Sequence, residues 1–404
     1  MPYRLLAGRG HVGRYRVPVR TSGIDRVIVS RSDWRVWITR PGRDILARME
    51  VRVRRVTLRL RTVFRSSRVA YDSTDTCVAT VVHGGIVGRG EGTPAWAHGE
   101  TVEEVLAAVE AQGEWILGSD LSDPETVLDR IADWEAPVGA RMALDGAVHD
   151  WLGRSAGVPT WQLFGLPRTL TEPTGYTIGI GSLEETLTAV QNAPEVGAFK
   201  MKVRGPEDLD RLVKVRAVTD RAIRIDPNEA WDFETARDLT PRLRGLDIQL
   251  IEQPFPTASV DAYRRYRELP NRLPVFLDEG CTDLASVHAA RELADGVVVK
   301  LAKSGGVQAT RRVMETARQL GLSVMLSCNC ESELALSQAA LLAPLADRID
   351  IDSQFLLRDP PFRGLGLNRG RIVLGDAPGL GVVSTEDGGS IPGTDFSSEA
   401  GSRR

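Results

Sequence analysis

The chain has 404 residues, a formal net charge of −3, and 42% hydrophobic and 26% charged residues, all ordinary for a globular protein. No charge excess draws it to nucleic acid or to an anionic membrane surface, and no stretch approaches the roughly 20 apolar residues of a membrane span. Cys77, Cys281, Cys328 and Cys330 form neither a C-x-x-C pair nor a disulfide framework, which fits a reducing cytoplasm.

Residues 1–48 contain eleven Arg and no Lys, with scattered Gly and Pro and no clear period. They are expected to be an extension outside the fold. An alternating run, "MEVRVRRVTLRLRTVF", begins at Met49 and predicts a strand. With "DTCVATVVHGGIVGRGE" and the helical patterns "TVEEVLAAVEAQGEWIL" and "GARMALDGAVHDWLGRSAG", it predicts an α+β domain over 49–170. From about residue 175 eight strand-like runs follow: "GYTIGI", "AFKMK", "IRID", "IQLIE", "PVFLD", "GVVVK", "SVMLS" and "RIDID". Helix-like segments alternate with them, so residues 171–353 are predicted to form a parallel β/α barrel. A doubly wound sheet would have fewer such units and a Gly-rich phosphate turn after its first strand. Residues 385–404 are polar and Gly/Ser-rich and are expected to be a disordered tail.

Of 51 basic residues only five are lysine, and four of those sit in two clusters, Lys200/Lys202 and Lys300/Lys303. Arginine cannot lose its proton at workable pH, whereas lysine can, so the bias points to lysine chemistry. Lys202, Asp226, Glu252, Asp278 and Lys300 end five consecutive predicted strands, at intervals of 24, 26, 26 and 22 residues. In a β/α barrel those ends meet at the mouth that carries the chemistry. Three carboxylates converging there would repel one another unless a cation lies between them, and Mg2+ suits an all-oxygen donor set. A metal flanked by two lysines suits removal of a proton next to a carboxylate, with one lysine taking the proton and the other returning it on the opposite face. Lys200, beside Lys202, supplies a cation that lowers its neighbour's pKa. Arg65 and Arg68, on the predicted hairpin tip "RSSRVAY" at 65–71, would either pair with an acidic substrate side chain at the mouth or stand exposed.

From about Met49 to Val382 the chain resembles the enolase superfamily, in which a Lys or His base works with Mg2+. The resemblance rests on "ALDGAVHDWLGRSAGVPTWQLFG", "FKMKV", "DPNEAW", "IEQPF", "LDEG" and "KLAKSGG" in this order. It is similar to the muconate-lactonizing subgroup, and "TGYTIGI" and "DRIDIDSQFLLRDPPFRG" look like dipeptide epimerases of the L-Ala-D/L-Glu type. The resemblance implies a modified TIM barrel, (β/α)7β, capped by an α+β domain that residues 354–384 rejoin. It implies one Mg2+ per subunit at Asp226, Glu252 and Asp278, Lys202 and Lys300 as the acid/base pair, and Lys200 and Asn228 in support. Asp350 and Asp352 would hold the substrate's α-ammonium, and Thr177, with Arg65 and Arg68 on the first of their two readings, is a further substrate-binding candidate. The expected protein is a cytoplasmic homo-oligomer that epimerises the C-terminal residue of a dipeptide. Muconate-type cycloisomerisation, o-succinylbenzoate synthesis or N-acylamino-acid racemisation are the alternatives within the subgroup, and a non-catalytic binding homologue is the alternative outside it. Ala230 and Ser353-Gln354 depart from the usual motifs, which bears on which dipeptide is used.

Overall fold

The computed structural model describes residues 49–386, except 97, 98, 119 and 120, together with three short strands nearer the start. These strands, β1 (Arg14–Val17), β2 (Arg26–Ser30) and β3 (Val36–Thr39), pair antiparallel in that order. The segment expected to lie outside the fold therefore carries a small sheet of its own. The predicted tail falls outside the described residues, apart from 385 and 386.

The cap is built on an antiparallel sheet of β4 (Glu50–Arg65), β5 (Ala70–His83) and β6 (Ile86–Gly92). Gly84 and Gly85 join β5 to β6 with φ of 59° and 74°, the left-handed pair that a tight two-residue hairpin requires. Helices α1 (Val102–Leu117) and α3 (Val138–Ala156) pack on the sheet, and α2 (Pro124–Ala132) packs against both of them. Thr101 starts α1 through a reciprocal capping box with Glu104, which satisfies two backbone donors that the first turn would leave unpaired. Gly88, Gly90 and Gly92 fall on one face of β6 at period two, and α3 lies directly on them. A Cβ on Gly90 would come within 2.2 Å of Ala143 O and Ala147 N. The cap core lies between these layers, with Val105, Val109, Leu144 and Trp151 buried.

The barrel strands are β7 (Gly175–Ile178), β8 (Ala198–Lys202), β9 (Ala222–Asp226), β10 (Ile248–Glu252), β11 (Val275–Leu277), β12 (Gly296–Val299), β13 (Ser323–Ser327) and β14 (Arg348–Asp350). All eight are parallel neighbours in sequence order. A parallel bridge from Thr174 to Ile349 brings the two ends of the sheet together, so it nearly closes. Each of the seven connections carries helix, for example Leu183–Asn192 after β7 and Val307–Gln319 before β13. This is the expected (β/α)7β barrel.

After β14 the chain leaves for the cap. Arg61 N–H donates to Leu356 O at 2.9 Å, and Arg358 N–H to Arg59 O at 2.8 Å. Outward residues such as Phe199, Ile225, Ile251 and Val299 join the helical shell, while Leu250, Phe276, Val298 and Met325 fill part of the interior. Each such side chain contributes about 1.5–3 kcal/mol on burial. Among the described residues no helix is long and apolar enough to cross a membrane.

Candidate active site

Side chains alternate across a strand, so the inward positions of the barrel form rungs. The top rung is Lys202, Asp226, Glu252, Asp278 and Lys300, at or one residue past the ends of β8 to β12. Asp226, Glu252 and Asp278 are at most 3% exposed, and each offers an oxygen within 4.8 Å of those of the other two. Lys202 Nζ lies 2.5 Å from Asp226 Oδ2, Lys200 Nζ 2.5 Å from Glu252 Oε1, and Lys300 Nζ 2.7 Å from Asp278 Oδ2. Lys303, one turn after Lys300, ties Asp278 down by donating to its Oδ1 at 2.7 Å and its backbone O at 2.6 Å.

The electrostatics follow from this packing. Burial and the neighbouring Asp226 push Glu252 well above the usual carboxylate range. Burial would also raise Asp278, but Lys300 and Lys303 outweigh it and hold that carboxyl well below the ordinary value. Burial works to lower Lys200 and Lys300, yet Glu252 and Asp226 raise the first and Asp278 raises the second. Lowering is the sequence expectation for Lys300, and there the neighbouring carboxylates outweigh burial instead. Glu252 Oε2 is buried with no hydrogen-bond partner among the described residues. With three converging carboxylates and no nitrogen or sulfur donor among them, the set fits a hard divalent cation such as Mg2+.

A cavity of about 380 Å³ opens above this rung, lined by Lys200, Lys202, Asp278 and Lys300 from the barrel and by the β4–β5 hairpin from the cap. The hairpin tip reaches the mouth as predicted: Ser67 Oγ donates to Pro227 O at 2.6 Å. Arg68 lines the cavity, but its guanidinium is engaged with Glu229 at 2.8 Å and Glu279 at 3.4 Å. Arg65 is not among the lining residues; its carbonyl accepts Ile180 N–H at 2.7 Å. Asn228 adopts φ of 47°, lines the cavity and donates to Glu279 Oε1 at 3.1 Å. Thr177 lines it too, and its N–H donates to Asp352 Oδ2 at 2.5 Å.

Asp350 and Asp352 share a face at period two, but they sit at different depths. Strand β14 ends at Asp350, and Asp352 lies past it with φ −126° and ψ −1°. Asp352 lines the cavity and Asp350 does not. Asp350 faces inward one rung below, where its Oδ1 meets Arg224 Nη1 at 2.5 Å, with both side chains buried. Gly175 on β7 makes room for it, since a Cβ there would lie 2.1 Å from Asp350 Oδ1. Burial, with Asp350 nearby, raises Asp352 to about 6.

Sequence reasoning did not single out Arg224 or Glu279. Arg224 stands two residues before Asp226 on the same strand, so strand period was the available signal; Glu279 directly follows Asp278. Cys328 and Cys330 also line the cavity; burial holds Cys330 at about 12 and Cys328 well above its ordinary value, so both stay protonated thiols.

A capped, nearly closed (β/α)7β barrel with carboxylates on three successive strand ends and lysines on either side defines an enolase-superfamily site. Comparison with known proteins agrees. Residues 48–165 match the mandelate racemase / muconate lactonizing enzyme N-terminal domain, and residues 183–388 the enolase C-terminal domain-like family. The chain belongs to the mandelate racemase / muconate lactonizing enzyme family. It is 30% identical over 332 residues to an L-Ala-D/L-Glu epimerase of Bacteroides thetaiotaomicron, covering 81% of this chain and 85% of that one. Over 315 residues it is 32% identical to an L-Lys-D/L-Arg epimerase of Methylococcus capsulatus, covering 74% and 88%. The crystal structure of a dipeptide epimerase from Methylococcus capsulatus, complexed with Mg and L-Arg-D-Lys, superposes with a TM-score of 0.75 at 29% identity, covering 83% of this chain and 99% of that one.

Proposed function

We propose that this protein is a Mg2+-dependent isomerase that epimerises the Cα of the C-terminal residue of a dipeptide. One observation carries the reading: Lys202 and Lys300 flank the Asp226/Glu252/Asp278 triad in the same cavity that Asp352 lines. Asp226, Glu252 and Asp278 would hold Mg2+, which when bound would offset the charge that raises Lys300 and stabilise negative charge developing on the substrate carboxylate. Lys202, from β8, and Lys300, after β12, stand on opposite sides of the triad. One takes the Cα proton and the other returns it on the opposite face. Lys200 and Asn228 support the rung, Lys200 through Glu252 and Asn228 through its N–H to Asp226 Oδ1 at 2.9 Å.

Asp352, a buried carboxylate beside Cys328 and Thr177, receives the substrate's α-ammonium. Charge-assisted hydrogen bonds of this kind are worth about 1.5–3 kcal/mol each. That contact favours a dipeptide over a diacid lacking an ammonium, and so over the cycloisomerase reading. The test is incubation with Mg2+ and a dipeptide pool in D2O. Mass gain at Cα together with appearance of the second epimer is expected. A metal-stripped, EDTA-treated sample that turns over undiminished would remove the metal from the reading.

A further inference from the structure

We propose that Asp145, on cap helix α3, is a positioning residue for Lys300: from outside the barrel it fixes the segment that carries this base. This rests on the two-base reading and gives the cap a part in it, separate from the metal triad and the substrate contacts.

The two lysines are held differently. Lys202 is the last residue of β8, in register with Asp226 of β9, and Arg211 donates to its carbonyl. The strand ladder therefore fixes its backbone. Lys300 stands one residue past β12, outside the ladder. Its carbonyl accepts Lys303 N–H at 3.1 Å and Ser304 N–H at 3.3 Å, which opens the four-residue helix Leu301–Ser304. A single helical turn is not stable by itself, so the place of Lys300 depends on what holds that turn. Lys303 ties it inward to Asp278. Its exit, Gly305-Gly306, is tied to the cap.

Gly306 leads directly into the helix Val307–Gln319 and is its N-cap. It has no side chain to accept the first N–H groups, which every helix leaves unpaired. Asp145 accepts them instead, Val307 N–H at Oδ1 over 2.8 Å and Gln308 N–H at Oδ2 over 3.1 Å. A carboxylate is also the charge that a helix N-terminus favours. Asp145 is fully buried. His149, one turn further along α3, donates from Nδ1 to the Asp145 carbonyl at 2.8 Å and lies 3.2 Å from Oδ1. The approach needs glycine at 306, where φ is 103° and a Cβ would lie 2.6 Å from Asp145 Cβ and Cγ. The neighbouring Gly305 lies against Arg141, one turn before Asp145, where a Cβ would come within 2.8 Å of Nε. One face of α3 thus clasps the exit of the turn that begins at Lys300.

The experiment measures Cα deuterium exchange by the full-length protein with Mg2+ in D2O, starting separately from the L,L and L,D epimers of Ala-Glu, Ala-Leu and Ala-Lys. Lys300→Ala identifies the epimer that gives its proton to Lys300, as the one whose exchange is lost. Asp145→Asn replaces one accepting oxygen by an NH2 group that faces a donor. It should slow exchange from that epimer by about ten-fold or more, because misplacing a reacting group by about 1 Å costs up to about a hundred-fold. Exchange from the opposite epimer, which uses Lys202, and KM for both should stay within about two-fold of wild type. Val307→Pro removes one donor of the same contact at a helix position that tolerates proline, and should give the same one-sided loss, so the contact is tested from both partners. Equal slowing from both epimers, as a merely structural role would give, slowing confined to the Lys202 epimer, or no change would each overturn the proposal and leave the two-base reading standing. If Lys300→Ala exchanges both epimers alike, the two-base reading falls, and this proposal with it.

Discussion

Asp350→Ala tests the depth assigned to the inner aspartate. Asp350 is the ion-pair partner of Arg224, whose remaining hydrogen bonds are to Gln249 Oε1 at 2.8 Å and a weak contact with Met325 Sδ at 3.6 Å. Arg224 is 6% exposed, so removing Asp350 leaves a cation buried without a counter-charge. Breaking a buried pair by deleting one partner costs about 3–5 kcal/mol. At the smaller shift per kcal/mol that long chains show, this lowers the melting temperature by about 6–10 °C. Arg224→Met in the Asp350→Ala background removes the stranded charge, and replacing a buried pair by apolar groups is close to neutral. The double variant should therefore recover most of the loss, with a coupling of about 2 kcal/mol or more in the cycle. Thermal unfolding by circular dichroism, with KM for a dipeptide measured in parallel, checks both parts. If the two single losses add in the double variant, the pair is not what holds Asp350. If the double variant is stable yet has KM as poor as Asp352→Asn, Asp350 touches the ammonium directly and the two-rung assignment is wrong.

Asp226→Asn, Glu252→Gln and Asp278→Asn should each abolish turnover and weaken Mg2+ binding in calorimetry; a variant that binds Mg2+ as tightly as wild type would remove that residue from the ligand set. Lys202→Ala and Lys300→Ala should each stop net epimerisation while leaving Cα exchange from one epimer, and Lys300→Arg should be as inactive as Ala because Arg keeps its proton; near wild-type interconversion in either Ala variant would exclude two bases. Because the Asp352 carboxyl is raised to about 6, it is ionised above that pH and protonates as pH falls through it. The kcat/KM for a free dipeptide should drop on the acid side of about pH 6 with a limb missing in Asp352→Asn, and a limb retained in that variant belongs to another group. Gly90→Ala forces a Cβ to within 2.2 Å of the α3 backbone and should cost at least about 1–3 kcal/mol, the usual range for overpacking, seen as a lower denaturant midpoint; an unchanged midpoint would mean that α3 can lift off β6.

Much of this site is legible along the chain because strand geometry is local. The period of two residues puts Lys200 and Lys202 on one face of β8 whatever surrounds them, and β/α alternation at regular spacing carries five charged strand ends to one mouth. The near-exclusive use of Arg elsewhere makes the four clustered lysines stand out without any structure. What the sequence could not convey is height and partnership. Whether an inward residue meets the cavity or the rung beneath it depends on how the strands are staggered when the sheet curls round. That stagger is a property of all eight strands, and it sends Asp350 to Arg224, 126 positions away. The fate of Arg68 likewise depends on contacts that form only when cap and barrel close on each other: its charge is spent on Glu229 and Glu279, 161 and 211 positions away. Local pattern decides which way a side chain points, and the long-range closure of the barrel and its cap decides what it finds there.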